Sequence, residues 1–349
     1  MAERPRAGYG SQPMDILWQT LGFAAKGFVV FLVAAGIAGF IASLVRRQRG
    51  GRAHLEVRPL NARFEGLGDA LRAGTWGRKE VKQLWKRRKE ERARPPPQQP
   101  RVYVLDFEGD LLATAVTSLR DEVSAIVAVA AAGDEVVLRL ESGGGAVPHY
   151  GLAAAQLARL KDRKIQLTVC IDRVAASGGY MMACVGDRIV AAPFAIIGSI
   201  GVVAQLPNLH RLLRKHDIDF EEATAGEFKR TVSVFGEISE KGRRKFQDQL
   251  EETHGIFKQF VKSQRPALEI DKVSTGEYWL ASRARELGLV DQLSTSDDYL
   301  LGRTKDARLF QVRYKPEASW RRRLGQAAAE AAERSLMALL TRLQGLELR

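Results

Sequence analysis

Cysteine is nearly absent: 349 residues carry only Cys170 and Cys184, and neither sits in a CxxC or a metal-ligand spacing. That excludes a disulfide scaffold, and both thiols read as small buried hydrophobes within apolar runs. The five histidines are scattered and form no HExxH or paired-ligand pattern, so neither a metal nor another cofactor is expected. Charge of one sign dominates. The formal net charge is +13, most of it in residues 46–94 and in a final segment that begins at Trp320. The rest of the composition, 45% hydrophobic and 27% charged, is that of a globular protein long enough for a full core and a second domain.

Residues 78–94 read RKEVKQLWKRRKEERAR, nine Lys or Arg against three Glu. So few apolar positions predict a solvated helix, stopped by the following PPPQQP. Such a segment favours anionic lipid head groups by about 1 kcal/mol per basic residue near the surface. Nucleic acid is not expected as a partner, because aromatic interleaving is limited to Trp85 and no recognition motif follows.

One long stretch is both uncharged and free of proline. Residues 27–45, GFVVFLVAAGIAGFIASLV, number 19, and about 20 apolar residues cross a bilayer core. The run ends in Arg46-Arg47 rather than in a small-residue cleavage site, which predicts an uncleaved transmembrane anchor. Five arginines between 46 and 58 outnumber Arg4, Arg6 and Lys26 on the other flank, a bias toward a cytoplasmic body. A second apolar stretch, residues 189–204, is interrupted by Pro193, Gly198 and Gly201 and reads as short buried strands.

After the linker, strand and helix signals alternate. Strands are expected at 102–107, 135–140, 165–171 and 188–191, and helices at 118–131 (capped by Thr117 or Ser118), 150–160 and 177–185. This rhythm predicts an α/β fold with a mainly parallel sheet. Ligands of such sheets sit beyond the carboxyl ends of the strands. Two glycine-rich turns fall at that edge, SGGG at 142–145 and SGG at 177–179. Small neighbours leave the Ser177 hydroxyl uncovered, but a serine needs a base to become a nucleophile. His149, His210, His216 and His254 are candidates, none with an acidic partner that singles it out. Lys229, flanked by Phe228, Val232, Val234 and Phe235, is the other, since apolar surroundings favour a neutral amine. The residues alone leave this choice open.

In order, the chain carries VYVLDFEGD, VVLRLESGGGAV, DRVAASGGYMMACVGDRIVAAP, IIGSIGVV, AGEFKRTVSVFGEISEKGRRKFQDQLEETHGIFKQFV and TGEYWLASRARELGLVDQL. This series, over residues 101–300, resembles the signal peptide peptidase A family of serine peptidases, most closely its SohB type. The N-terminal anchor and basic segment are similar too. One departure is Gly143, where the family usually has proline.

The resemblance implies a ClpP/crotonase-like fold of repeated strand-strand-helix units and a Ser–Lys dyad. The serine motif falls on Ser177 and the lysine on Lys229. Oxyanion donors fall on Gly178 and on Gly144 or Gly145 of the turn. The extended run containing Ile196, Gly198, Ser199, Ile200, Gly201 and Val202 would pair with a substrate backbone. Expected partners are an unfolded or membrane-released peptide, membrane lipid and further copies of the chain. The expected organisation is a tail (1–26), anchor (27–45), basic juxtamembrane segment and Pro-rich linker (46–100), peptidase domain (101–300), and a strand with an amphipathic helix (301–349). In that last helix Leu336, Leu339, Leu340 and Leu343 share a face. The expected location is the bacterial inner membrane with a single span. Arginine counts place the body in the cytoplasm and the family's envelope role places it in the periplasm. A crotonase-type acyl-CoA enzyme and a non-catalytic membrane scaffold are the rival functions.

Overall fold

Strands buried on both faces need continuous apolar runs, and VYVL, EVVL and LTVCI supply them. The computed structural model describes residues 54–93 and 99–315. The chain opens with β1 (His54–Pro59), α1 (Asn61–Thr75) and α2 (Arg78–Ala93). Next come β2 (Arg101–Gly109), α3 (Val116–Val129), β3 (Glu135–Ser142), α4 (Val147–Asp162) and β4 (Gln166–Ile171). The middle holds β5 (Val174–Ala176), α5 (Gly178–Ala183), β6 (Arg188–Ala191), β7 (Ile196–Gly198), α6 (His210–Lys215) and α7 (Glu240–Gln264). The last elements are α8 (Ile270–Val273), β8 (Tyr278–Leu280), α9 (Ala281–Glu286), β9 (Gln292–Leu293), α10 (Ser296–Arg303) and β10 (Arg308–Lys315).

The strands form one sheet in the order β1-β10-β2-β3-β4-β6-β9, with β5, β7 and β8 branching from β3. The ladders from β10 to β9 are parallel, as is the branch through β5 and β7. Only the β7–β8 pair is antiparallel among the registers described. Alternation along the strands divides the core in two. Tyr103, Leu105, Phe107, Leu138 and Val169 pack with Leu119, Val123 and Ile126 of α3 and Leu157 and Leu160 of α4. Val102, Val104, Val137, Cys170 and Val190 face the other way, onto Leu60, Leu300 and Leu309.

The mainly parallel α/β sheet is as the strand–helix rhythm predicts. The start of α3 is not: it begins at Val116, and neither Thr117 nor Ser118 caps it. Asp110 has taken the local hydrogen bonds instead, accepting Thr114 N–H at 2.8 Å and Thr114 Oγ1 at 2.6 Å one turn earlier. Residues 189–204 hold β6 and β7 joined by a turn at Pro193, and no described helix is long and apolar enough to cross a membrane.

The compact unit runs from Leu55 to Lys315 and so draws on residues at both ends of the expected 101–300 domain. Strand β10 enters the sheet beside β2, with Leu309 opposite Val102. Before α1, Leu60 N–H donates to Leu309 O at 2.9 Å. Asn61 then clasps the β10 backbone, donating to Ala307 O (3.0 Å) and accepting Leu309 N–H (2.7 Å). The anchor at 27–45 and the amphipathic segment at 317–348 lie outside the described residues.

Candidate active site

Ser177 occupies the single residue between the end of β5 and the start of α5. Its backbone has φ 52° and ψ −119°, a conformation costly for any residue with a Cβ and held only where its surroundings enforce it. Two bonds do so here: Ser177 N–H donates to Gly198 O (2.8 Å), and Ser177 O accepts Met181 N–H (3.0 Å). The residue is half-buried, and its hydroxyl has no hydrogen-bond partner among the described residues. A sharp strand-to-helix turn thus presents one uncommitted oxygen at a carboxyl edge of the sheet.

The glycine turn after β3 packs directly against it. Gly144 has φ +89°, and a Cβ there would lie 2.7 Å from both Gly178 N and Ser177 Cβ. Gly178 is equally constrained, since a Cβ would come 2.4 Å from Cγ of Tyr150. Only hydrogen atoms fit in these gaps. On the turn's other side, Ala146 N–H donates to Leu111 O at 2.9 Å.

The N–H groups divide clearly. Gly144 N–H is already spent on Ser142 Oγ, at 3.1 Å. Gly145 N–H has no partner among the described residues, nor has Gly178 N–H, one of the orphan donors of a helix start. Of the three glycines named from the sequence, Gly178 and Gly145 thus keep N–H groups without a partner among the described residues, whereas Gly144 N–H is bonded to Ser142. Gly143 is exposed with nothing within 4 Å of a would-be Cβ, so the absence of proline there relieves no crowding.

Lys229 makes no hydrogen bond to Ser177 among the described residues. It lies exposed on an irregular segment, its own N–H bonded to Gly226 O (3.1 Å), and its ammonium has no partner among the described residues. The segment is tied within itself: Arg230 pairs with Glu222 at 2.7 Å, and the Phe220 and Phe235 rings sit 5.7 Å apart. Phe228 and Phe235 are both exposed, so the apolar cover expected around Lys229 is open in the single chain. None of the four candidate histidines hydrogen-bonds Ser177 either; His254 Nε2 lies 3.2 Å from Ile200 O.

The residues expected to form a substrate strand fall in two different settings. Ile196 and Gly198 belong to β7, whose one edge is paired with β5 and the other with β8. A strand with both edges occupied cannot accept a peptide backbone. Past it the chain leaves the sheet: Ser199 has φ 52° and donates to Glu277 O (2.7 Å), and Ile200 is buried. Gly201 and Val202 lie beyond those pairings, with Val203 80% exposed. Gly201 N–H is itself bonded to Ser199 O at 2.9 Å.

Tyr150, Ser142 and Asp110 went unread in the sequence. The available signal was a tyrosine starting an apolar helix face, since a buried phenol needs a polar partner. A separate concavity of about 300 Å³ is lined by Asp106, Glu108, Arg139, Glu141 and Arg313, without Ser177.

Residues 159–309 match the family model "Peptidase family S49", and residues 15–157 match "Peptidase family S49 N-terminal". The chain is 47% identical over 333 residues to the "Probable protease SohB" of Haemophilus influenzae, covering 91% of this chain and 94% of that one. It is 43% identical over 306 residues to the "Probable protease SohB" of Buchnera aphidicola subsp. Schlechtendalia chinensis, covering 83% of this chain and 100% of the relative. Among solved structures, a mutant of the 1510-N membrane-bound stomatin-specific protease in complex with a substrate peptide is 15% identical. That match has a TM-score of 0.37 and covers 59% of this chain and 80% of the other.

Proposed function

The chain belongs to peptidase family S49 and is a serine-type peptidase, and from that premise we propose that it cleaves peptide bonds with Ser177 as nucleophile and Lys229 as general base. The observation that carries the reading is the turn at Ser177: an uncommitted hydroxyl in enforced left-handed backbone, packed against Gly144 and followed by the free N–H of Gly178.

The neutral Lys229 amine takes the Ser177 proton as Oγ attacks the scissile carbonyl carbon. The C=O pair becomes an oxyanion that accepts from Gly178 and Gly145 N–H, each such donor contributing about 3 kcal/mol to transition-state stabilisation. Lysine then gives its proton to the leaving amine, and the C–N bond breaks. Water, deprotonated by the same amine, hydrolyses the acyl-enzyme. The base must come within about 3 Å of Ser177 Oγ for this transfer. Family membership and the spacing of the two motifs support this role for Lys229.

The same reading makes the protein membrane-anchored through residues 27–45, with a ClpP/crotonase-like peptidase body acting on unfolded or membrane-released peptides. The test is a fluorophosphonate serine probe on the full-length protein. Wild type labels and hydrolyses peptide, and Ser177→Ala does neither. Persistent labelling and turnover in the alanine variant would overturn the assignment.

A further inference from the structure

The hydroxyl of Tyr150 joins three segments of the chain. It donates to Asp110 O, just after β2, at 2.8 Å, and it lies 2.6 Å from Ser142 Oγ at the end of β3. A phenol has one proton, already directed at Asp110, so the Ser142 hydroxyl supplies the proton of the second bond. Ser142 Oγ in turn accepts Gly144 N–H. The result is one directed chain: Gly144 N–H to Ser142, Ser142 to Tyr150, Tyr150 to the Asp110 carbonyl. Both side chains are buried, Tyr150 completely, so a missing link is not replaced by bulk water.

The ring has a separate contact. It lies so close to Gly178 that a Cβ there would meet its Cγ at 2.4 Å. One side chain thus braces both walls of the oxyanion pocket: Gly178 through the ring, and the turn that carries Gly145 through the hydroxyl. Burial raises the phenol's pKa above its ordinary value, which keeps the donor protonated at neutral pH.

We propose that Tyr150 is a positioning residue for peptide hydrolysis, whose hydroxyl holds the 143–145 turn, through Ser142, in register with Gly178 so that the two free N–H groups converge on one oxyanion. The proposal rests on the reading of Ser177 as nucleophile. Its loss would affect the rate rather than substrate affinity, because the donors bind strongly only once charge develops on the carbonyl oxygen.

The experiment compares full-length wild type with Tyr150→Phe, Ser142→Ala and the double variant. Phenylalanine keeps the ring on Gly178, and melting temperatures verify that each variant is folded. In Tyr150→Phe, kcat should fall about 10- to 100-fold, the scale of a sub-ångström misplacement, with KM unchanged within about twofold. Ser142→Ala should behave alike, and the double variant should be no worse than the worse single one, since both cut the same chain. A peptide aldehyde, whose adduct with Ser177 bears an oxyanion, should lose affinity in proportion to kcat, while a cleaved product peptide binds as before. Wild-type turnover and aldehyde affinity in Tyr150→Phe would overturn the proposal, and so would additive losses or equal weakening of the product peptide. The serine probe distinguishes the two failures: a labelled Ser177→Ala rejects the nucleophile, whereas normal Tyr150→Phe kinetics with a labelled Ser177 reject only the positioning role.

Discussion

Gly144 and Gly178 meet backbone to backbone: a Cβ on Gly144 would stand 2.7 Å from Gly178 N. The neighbouring Gly143 has open space around it. Gly144→Ala should therefore lose peptidase activity by about 100-fold or more, through strain at φ +89° and displacement of the serine turn. Gly143→Ala should stay within about 0.5 kcal/mol of wild-type stability. Urea unfolding with a peptidase assay on both variants checks the contrast. Equal behaviour of the two would show that the close packing of Gly144 does not matter for catalysis.

Lys229 is exposed, so its removal should not disturb the fold. Lys229→Ala is expected to unfold like wild type, within about 0.5 kcal/mol, while kcat falls about 100-fold or more for want of a base. Lys229→Arg should fail as well, because arginine does not deprotonate. Turnover indifferent to both changes would transfer the base role elsewhere, with His149 tested next because it follows the glycine turn.

Glu122 on α3 is 4% exposed and accepts Tyr314 N–H from β10 at 2.8 Å. Burial is the main cause that pushes its pKa from 4.5 up to about 7, and the Tyr314 bond opposes it. The folded state thus holds a proton that the unfolded state releases. The resulting stabilisation is complete below about pH 4.5 and is lost as pH rises through about 7. Glu122→Gln, which cannot ionise, should gain about 2 kcal/mol over wild type on going from pH 5 to pH 8. Urea titrations at the two pH values measure it, and parallel pH dependence in both proteins would exclude this role for Glu122.

Both native cysteines are buried, at 1% and 0% exposure. Burial pushes Cys184 up to about 12 and raises Cys170 further, so neither should react with maleimide in the folded protein. Cysteines introduced at Gly151 and Leu301 can then report membrane sidedness in an otherwise native chain. A single span at residues 27–45 requires the same side for both, as bringing Ser177 and Lys229 together also does. Opposite sides would reject the single span and the dyad at once.

The strand–helix rhythm, the strand at residues 188–191 and the place of Ser177 at a carboxyl edge were legible in the sequence. Each follows from short-range chemistry: apolar runs that can be buried on both faces, and small residues at a tight turn. The tertiary structure decided what depends on residues far apart in the chain. Whether Gly144 or Gly145 keeps a free N–H is set by Ser142 and by Tyr150, which also reaches back to Asp110. Whether residues 196–198 form an edge is set by β8, some eighty residues later and too short for any periodicity. That Leu60 and Asn61 bind β10 rather than extend a solvated linker depends on a strand nearly 250 residues away. Periodicity records which side chains want burial. It does not record which backbone N–H meets which acceptor, because that is fixed only when separate segments dock.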